Sequence, residues 1–437
     1  MLPNNAQAPL PRVVEIARDL IRFDTTNFGL GKSNGESEAA RYIQNLFTNI
    51  GLASEIFDSA PGRSSLIARV KGTDPSLPAL VVHGHLDVVP AEAADWQHPP
   101  FSGEIHEGYL WGRGAVDMKN MDAMIIASLE AMAAQNIQPK RDLIIAFFAD
   151  EEDGGGLGSH YLVREHPELF AGAAEAISEV GGYSVQMAQK TVYLIQTGEK
   201  AMLWLNLKVS GKAGHGSVLN DDNAITKLAE ALLRLNQAHW PITLTHSTEH
   251  LLKAIAELYE KDFEQSDPRD LAKLTAGAEK FVSATLQTTV NPTGLVSGYK
   301  HNVVPGSAIA WLDVRTLPGQ EEEVLAELQS IVGPEFEFEI VRRDVGLESP
   351  FSGTLVDAMV ASLKKHDPEA LVLPYLLSGG TDNKALSLLG IRGFGFVPLK
   401  LPEGFDFPSM FHGVDERVPI DSLVLGEQIL FELLTSY

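Results

Sequence analysis

The stretch VVHGHLDVVP, residues 81–90, carries His83, His85 and Asp87 at the end of an apolar run. Strand side chains alternate with period two, so these three share one face for as long as the strand lasts. A histidine followed two positions on by an aspartate suits an imidazole that binds a cation through one nitrogen while the other is held by a carboxylate. Hydrogen-bonded histidines at a strand end are the plainer reading. The stretch LIIAFFADEEDGGG, residues 143–156, delivers carboxylates in the same way: Leu143 to Phe148 are all apolar, and Asp150, Glu151, Glu152 and Asp153 gather just beyond them. Neighbouring carboxylates repel, and a pair held together shares a proton or a cation. A solvated acidic turn is the alternative. In LWGRGAVDMKN, residues 110–120, Asp117 directly precedes a helical pattern and can be its N-cap or a ligand.

Taken together, His85, Asp117, Glu152, a glutamate within 175–179 and a late histidine make an oxygen-rich shell for two divalent cations. The chain has no cysteine, so any metal site must be built from His, Asp and Glu. Imidazole and carboxylate donors without thiolate fit Zn²⁺, Co²⁺ or Mn²⁺. Such ions lower the pKa of a bound water toward ~7, and a spare carboxylate beside the ligands can take its proton.

The elements that must position these groups alternate between two patterns. Helical spacing runs over 13–23, 36–51 and 119–136, and short apolar strands over 65–70, 79–84, 142–149 and 174–180. Strands alternating with helices predict an α/β fold whose mostly parallel sheet is flanked by helices. Such sheets bind ligands beyond the carboxyl ends of their strands, where the carboxylates gather. Beyond residue 200 the rhythm changes. LWLNLKVSG, residues 203–211, alternates apolar and polar residues as a half-solvated strand does. A helix over 222–237, strands over 281–290 and 307–315, a helix over 321–332 and a strand over 336–343 complete a βαββαβ order, as in ferredoxin-like domains. The charged helical stretch 246–280 looks like an insertion after the first of these helices. The α/β pattern returns after 346. The expected organisation is therefore a catalytic domain, 1–200 and 346–437, interrupted by a lid and dimerisation domain, 201–345.

With 437 residues the chain exceeds the ~250–300 at which single cores stop growing, in keeping with two domains. Its 34 basic and 58 acidic residues give a net charge of −24. That balance argues against a nucleic-acid or anionic-membrane partner. The first residues lack a basic segment followed by an apolar core, and no apolar run is long enough to span a bilayer, so a cytoplasmic protein is expected.

The motifs HGHLDVVP, GRGAVDMKN, FFADEEDGGGLGS, GKAGHGS, HNVVPGSAIAWLDVRTLPG and SGGTDN, with a terminal FHGVDE, cover essentially the whole chain. In these motifs and their order the sequence resembles the M20 family of dinuclear zinc metallopeptidases, which includes glutamate carboxypeptidases, aminoacylase-1, succinyl-diaminopimelate desuccinylase and carnosine-type dipeptidases. The resemblance implies hydrolysis of an amide or peptide bond beside a free carboxylate, with two divalent ions, Zn²⁺ before Co²⁺ or Mn²⁺. It implies that His85 and a carboxylate near 179 hold one ion, that Glu152 and His412 hold the other, and that Asp117 bridges them. Glu151 would be general base and acid, and Asp87 would orient His85. His215 would reach across a homodimer into the partner's active site and polarise the scissile carbonyl.

Asn302 and Arg315 match the residues that grip the substrate's free carboxylate, a task that suits a planar guanidinium beside an amide donor. Gly379, Gly380 and Thr381 would approach the same substrate end. At the last ligand AEAISEVGG offers Glu175 and Glu179; Glu179, at the strand's end before Gly181 and Gly182, is the choice. A glutamate there is closer to the aminoacylase and carboxypeptidase S branch.

Two rival readings stand beside this one. GKSNG, residues 31–35, fits the G-x-S-x-G pattern of a serine nucleophile at Ser33, but TTNFGL ahead of it is no strand. TNFGLGKS misses a phosphate-binding loop because Thr26 stands where the first glycine belongs. The other rival is a non-catalytic ligand-binding relative of the same fold. The expected substrate is a small peptide, an N-acyl amino acid or a succinylated amine.

Overall fold

Strands without a polar face must be covered on both sides, and the centre of the large sheet is built from such strands. In the computed structural model, which describes residues 9–437, Ala79–His85 lies between Leu143–Phe148 and Ala173–Ser178 and runs parallel to both. Arg392–Gly395 continues the parallel centre beside Ala173–Ser178. Antiparallel hairpins close both edges, and Leu371–Leu377 pairs parallel with Lys190–Glu199 beside one of them. Ser54–Ala60 pairs with Arg63–Val70 at one edge, and Tyr183–Met187 with Lys190–Glu199 at the other. Turns this short leave no room for a crossover, so these neighbours pair antiparallel.

Side chains of the central strands alternate between two cores. Leu80, Val82, Ile145 and Phe147 pack with Met121, Met124 and Ile125 of the helix Lys119–Ala134. Val81, Ile144, Ala146 and Phe148 pack on the opposite face with Leu162, Leu386 and Ile391. The helix Lys119–Ala134 is buried almost all round, because Arg12–Ile21 and Ile420–Ser436 cover it from outside.

Ala201–Ser210 opens the small sheet, whose strand order is Thr289–Val296, Ser307–Thr316, Ala201–Ser210, Phe336–Asp344, all antiparallel. Leu203, Leu205, Leu207 and Val209 point into a core shared with the helices Ala224–Gln237 and Glu321–Val332.

Two local expectations change. The strand expected over 281–290 is a short helix, Glu279–Ser283, followed by a strand that starts only at Thr289 and continues through Pro292. Proline is tolerated there because the strand is an edge strand whose register shifts between Pro292 and Gly294. The stretch 246–280 does form helices, His246–Leu258 and Pro268–Lys273, but Leu251, Leu252, Ile255 and Leu271 bury in the core of the large sheet, not of the small one. Apolar spacing specifies a helix and its buried face; it does not say which core receives that face. Among the described residues no helix is long and apolar enough to cross a membrane.

Candidate metal centre

The strand Ala79–His85 ends on its last histidine, so the two histidines have different surroundings. His83 Nε2 lies 3.0 Å from Asn383 Oδ1, and full burial pushes its pKa down to about 4, which leaves a neutral, structural imidazole. Gly84 separates the two because a Cβ there would lie 2.1 Å from Asp122 Oδ1. His85 Nε2 is 3.0 Å from Asp117 Oδ1 and 3.6 Å from Glu179 Oε2.

The other nitrogen of His85 is held by Asp87, but through its main-chain carbonyl at 2.9 Å, while the carboxylate stands off at 3.6 Å. That carboxylate is occupied elsewhere. It accepts the N–H groups of Glu151 and Glu152 at 3.0 and 3.2 Å and the Asn27 amide at 2.8 Å.

Asp117 is not a helix cap: Met118 holds the N-cap position without a side-chain bond. Its second oxygen is 3.3 Å from His412 Nε2, which is in turn 3.1 Å from Glu152 Oε2. The order Glu179, His85, Asp117, His412, Glu152 therefore runs unbroken, with Asp117 between the two imidazoles. Glu416, which ends the FHGVDE motif, positions the Asp117 loop from beneath. Its buried carboxylate accepts Arg113 at 2.7 Å and the N–H groups of Gly114, Val116 and Asp117 at 3.0, 2.6 and 3.0 Å. Glu416 stands in the FHGVDE motif, but nothing local in that motif assigns it this task.

Crowded carboxylates raise the pKa of His85 and His412, and a bound cation would take the place of those protons. Burial and the neighbouring carboxylates push Glu152 up to about 7 and Glu179 up to about 8. Burial, with Glu179 close by, holds the Glu151 carboxyl well above its usual range. The hydrogen bonds from both imidazoles keep Asp117 ionised far into acid. Glu152 Oε1 is buried without any partner. Ligand atoms of His85, Asp117 and Glu152 all lie within 4.8 Å of one another, as do those of His85, Glu151 and Glu179. An imidazole and carboxylate donor set with one orphaned oxygen fits divalent ions such as Zn²⁺.

Above these groups lies a cleft of about 320 Å³ lined by Asp117, Glu151, Glu152, Glu179 and His412 on one side and by Arg315, Gly379, Gly380 and Thr381 on the other. Arg315 is held by Asp313 through two bonds of 2.6 and 3.1 Å. The Thr381 hydroxyl is engaged with Glu199 at 2.6 Å. His215 and Asn302 are exposed on the small domain and do not line the cleft. Glu175 is remote from the centre, held by Arg392 and by the Tyr437 hydroxyl. Ser33 lies in a small hairpin outside the cleft, where its hydroxyl accepts Gly35 N–H at 2.9 Å.

The cleft also contains residues that no motif argument singled out. Asp382, pushed up to about 7 by burial, bonds Ser159. Phe281 and Phe411 meet edge to face at 5.8 Å. Arg342 of the small sheet donates to the carbonyls of Asp153 and Gly154, in the space that a Cβ on Gly154 would fill.

The chain matches the description "Peptidase family M20/M25/M40" over residues 81–436. It belongs to that family. As an M20 enzyme it is a metal-dependent hydrolase of amide bonds. It is 28% identical over 458 residues to N-fatty-acyl-amino acid synthase/hydrolase PM20D1 of Xenopus tropicalis, covering 98% of this chain and 86% of that protein. It is 27% identical over 414 residues to aminoacylase-1 of Sus scrofa, covering 91% and 89%. Among solved structures, an M20 family metallo-carboxypeptidase of Sulfolobus solfataricus superposes with a TM-score of 0.73 at 19% identity, covering 98% of this chain and 99% of that one. That likeness concerns the fold.

Proposed function

We propose that this M20 enzyme cleaves an amide or peptide bond adjacent to a free carboxylate, in a dipeptide, a peptide C-terminus or an N-acyl amino acid. The observation that carries the reading is Asp117 set between His85 and His412, with Glu179 and Glu152 outside them and Glu151 beside the cleft. His85 and Glu179 would hold one divalent ion and His412 and Glu152 a second, with Asp117 shared and Zn²⁺ the preferred metal. Ions bound there supply Lewis acidity toward the scissile carbonyl and acidify water.

The residues of the chain do the rest. Arg315, already aligned by Asp313, keeps N–H groups free to take the substrate carboxylate, and Asn302 adds an amide donor. Gly379, Gly380 and Thr381 bound the same end. Glu151, whose carboxyl burial pushes upward, takes a proton from the attacking water and hands it to the leaving amine. Asp87 fixes Glu151 and Glu152 through their main-chain N–H groups.

His215 and Asn302 lie outside their own cleft, which supports an active site completed by the partner's copies in a homodimer. Val218, Leu219 and Tyr299 are exposed beside them, as residues awaiting a partner surface are. Residues 201–345 would then act as lid and dimerisation domain, except for the 246–286 helices packed on the large core.

The test is an activity screen of zinc- and cobalt-loaded protein over dipeptides and N-acyl amino acids, with and without EDTA. Hydrolysis that needs metal and a free substrate carboxylate supports the reading. Full activity in a metal-free, chelated sample overturns it.

A further inference from the structure

Outside the cleft, among the described residues, one more group of side chains has metal-ligand chemistry. Glu104 precedes and His106 ends the two-residue strand Ile105–His106, which pairs with Tyr109–Trp111, and His98 comes from the loop before them. Glu104 Oε2 lies 2.7 Å from His106 Nε2 and 3.6 Å from His98 Nδ1. The two imidazoles are stacked, with centroids 3.7 Å apart and planes 8° from parallel. Ligand atoms of all three residues lie within 4.8 Å of one another. None of the three lines the cleft.

We propose that His98, Glu104 and His106 form a separate, solvent-facing site for a late first-row divalent cation, Zn²⁺, Ni²⁺ or Cu²⁺. Ligand atoms at the usual roughly 2.0–2.1 Å from tetrahedral zinc are about 3.3 Å apart. The separations of 2.7 and 3.6 Å from Glu104 bracket that value, and the two exposed imidazoles would turn out of their stack to aim both in-plane lone pairs at one ion. Two imidazoles and a carboxylate favour late transition metals over Mg²⁺ or Ca²⁺. Among the described residues no lysine or arginine pairs with Glu104, so a cation displaces no existing ion pair there.

The surroundings of the cluster are braced without an ion. His98 rests edge-on against Trp111 at 4.8 Å, Arg417 covers the same indole at 4.5 Å, and the Trp111 Nε1–H reaches the His106 carbonyl at 3.3 Å. The side chains remain 25%, 44% and 42% exposed, which leaves room for water at an open coordination position. The loop is also tied toward the catalytic side: Gln97, next to His98, donates twice to Asp415, each at 2.8 Å. A bound ion would thus stiffen the hairpin whose far end continues into the Asp117 loop.

The experiment starts from protein whose cleft is already loaded with zinc and free of excess metal. Isothermal titration with Ni²⁺ and Zn²⁺ should show one further equivalent per chain, accompanied by a rise in Tm. That equivalent should weaken at least tenfold in His98→Ala and in His106→Ala, while hydrolysis by the zinc-loaded variants stays at the wild-type rate. Cu²⁺ added to the loaded protein should give an electron paramagnetic resonance spectrum with two nitrogen ligands, reduced to one in either variant. Absence of a further equivalent, or one that survives both substitutions unchanged, overturns the proposal. The proposed hydrolysis is untouched by either result.

Discussion

The Asp87 carboxylate accepts the main-chain N–H of Glu151 at 3.0 Å, and that of Glu152 at 3.2 Å, so one buried aspartate sets the position of the turn that carries both glutamates. The same residue holds the His85 ring through its carbonyl. In Asp87→Asn the carbonyl contact survives, but an amide NH₂ replaces an acceptor in front of two N–H donors and the Asn27 amide. Supporting groups of this kind typically cost about 10- to 100-fold in metal affinity or activity. A loss of that size in kcat, with His85 still bound in place, is expected from kinetics and metal titration on the variant. Unchanged kcat would show that the turn holds itself.

Glu151→Gln separates proton transfer from metal binding. The amide cannot carry a proton from water to amine, so kcat should fall by about 10²- to 10⁴-fold. Glu152, Glu179, His85 and His412 are untouched, so metal content by mass spectrometry and the circular dichroism spectrum should match the wild type. A near-normal kcat would remove Glu151 from the mechanism.

The difference between those two residues also marks what was legible in the sequence. Glu151 and Glu152 stand out because an apolar strand ends abruptly in charge, and physical chemistry offers few reasons for that, whereas Asp117 reads locally as a helix N-cap and gains a metal role only through the family resemblance. The tasks of Glu416 and of the Asp87 carboxylate were not legible: each works by accepting main-chain N–H groups, from loops 64 and about 300 positions away in the case of Glu151 and Asp117. Which backbone a buried carboxylate meets is fixed by tertiary packing, not by local pattern. The same holds for the 246–280 helices, whose periodicity is evident while the core they join is not. Phe281 reached the cleft wall only because that stretch packs on the large sheet.

Complementation tests the proposed crossing of His215. A His215→Ala chain keeps Glu151, and a Glu151→Gln chain keeps His215. If each cleft borrows the partner's histidine, a mixed dimer contains one complete site. Random assembly of equal amounts should then recover about a quarter of wild-type activity from two inactive parents. No recovery from dimers verified as mixed would place His215 within its own chain's chemistry or outside the reaction.

Lys200 gives a pH dependence that is independent of any metal. It sits where the chain passes from Lys190–Glu199 into Ala201–Ser210, fully buried, with Nζ donating to the carbonyls of Ala284 and Gln287 at 3.0 and 2.8 Å. Burial, helped by nearby Arg315, pushes its pKa from 10.5 down to about 7. Between those two values the unfolded chain carries a proton that the folded chain lacks, so stability must rise with pH across that window. One proton of difference corresponds to a slope of about 1.4 kcal/mol per pH unit, and below the folded pKa both states are protonated and the full cost remains. Lys200→Met removes the titration, although it leaves two carbonyls without their donor. Urea unfolding of metal-free protein at pH 7 and pH 9 should therefore show the wild type gaining stability relative to Lys200→Met as pH rises. Taking the difference between the two proteins cancels the other titrating groups. Parallel pH profiles would mean that Lys200 remains charged in the fold, with its proton stabilised by the carbonyl cage strongly enough to offset burial.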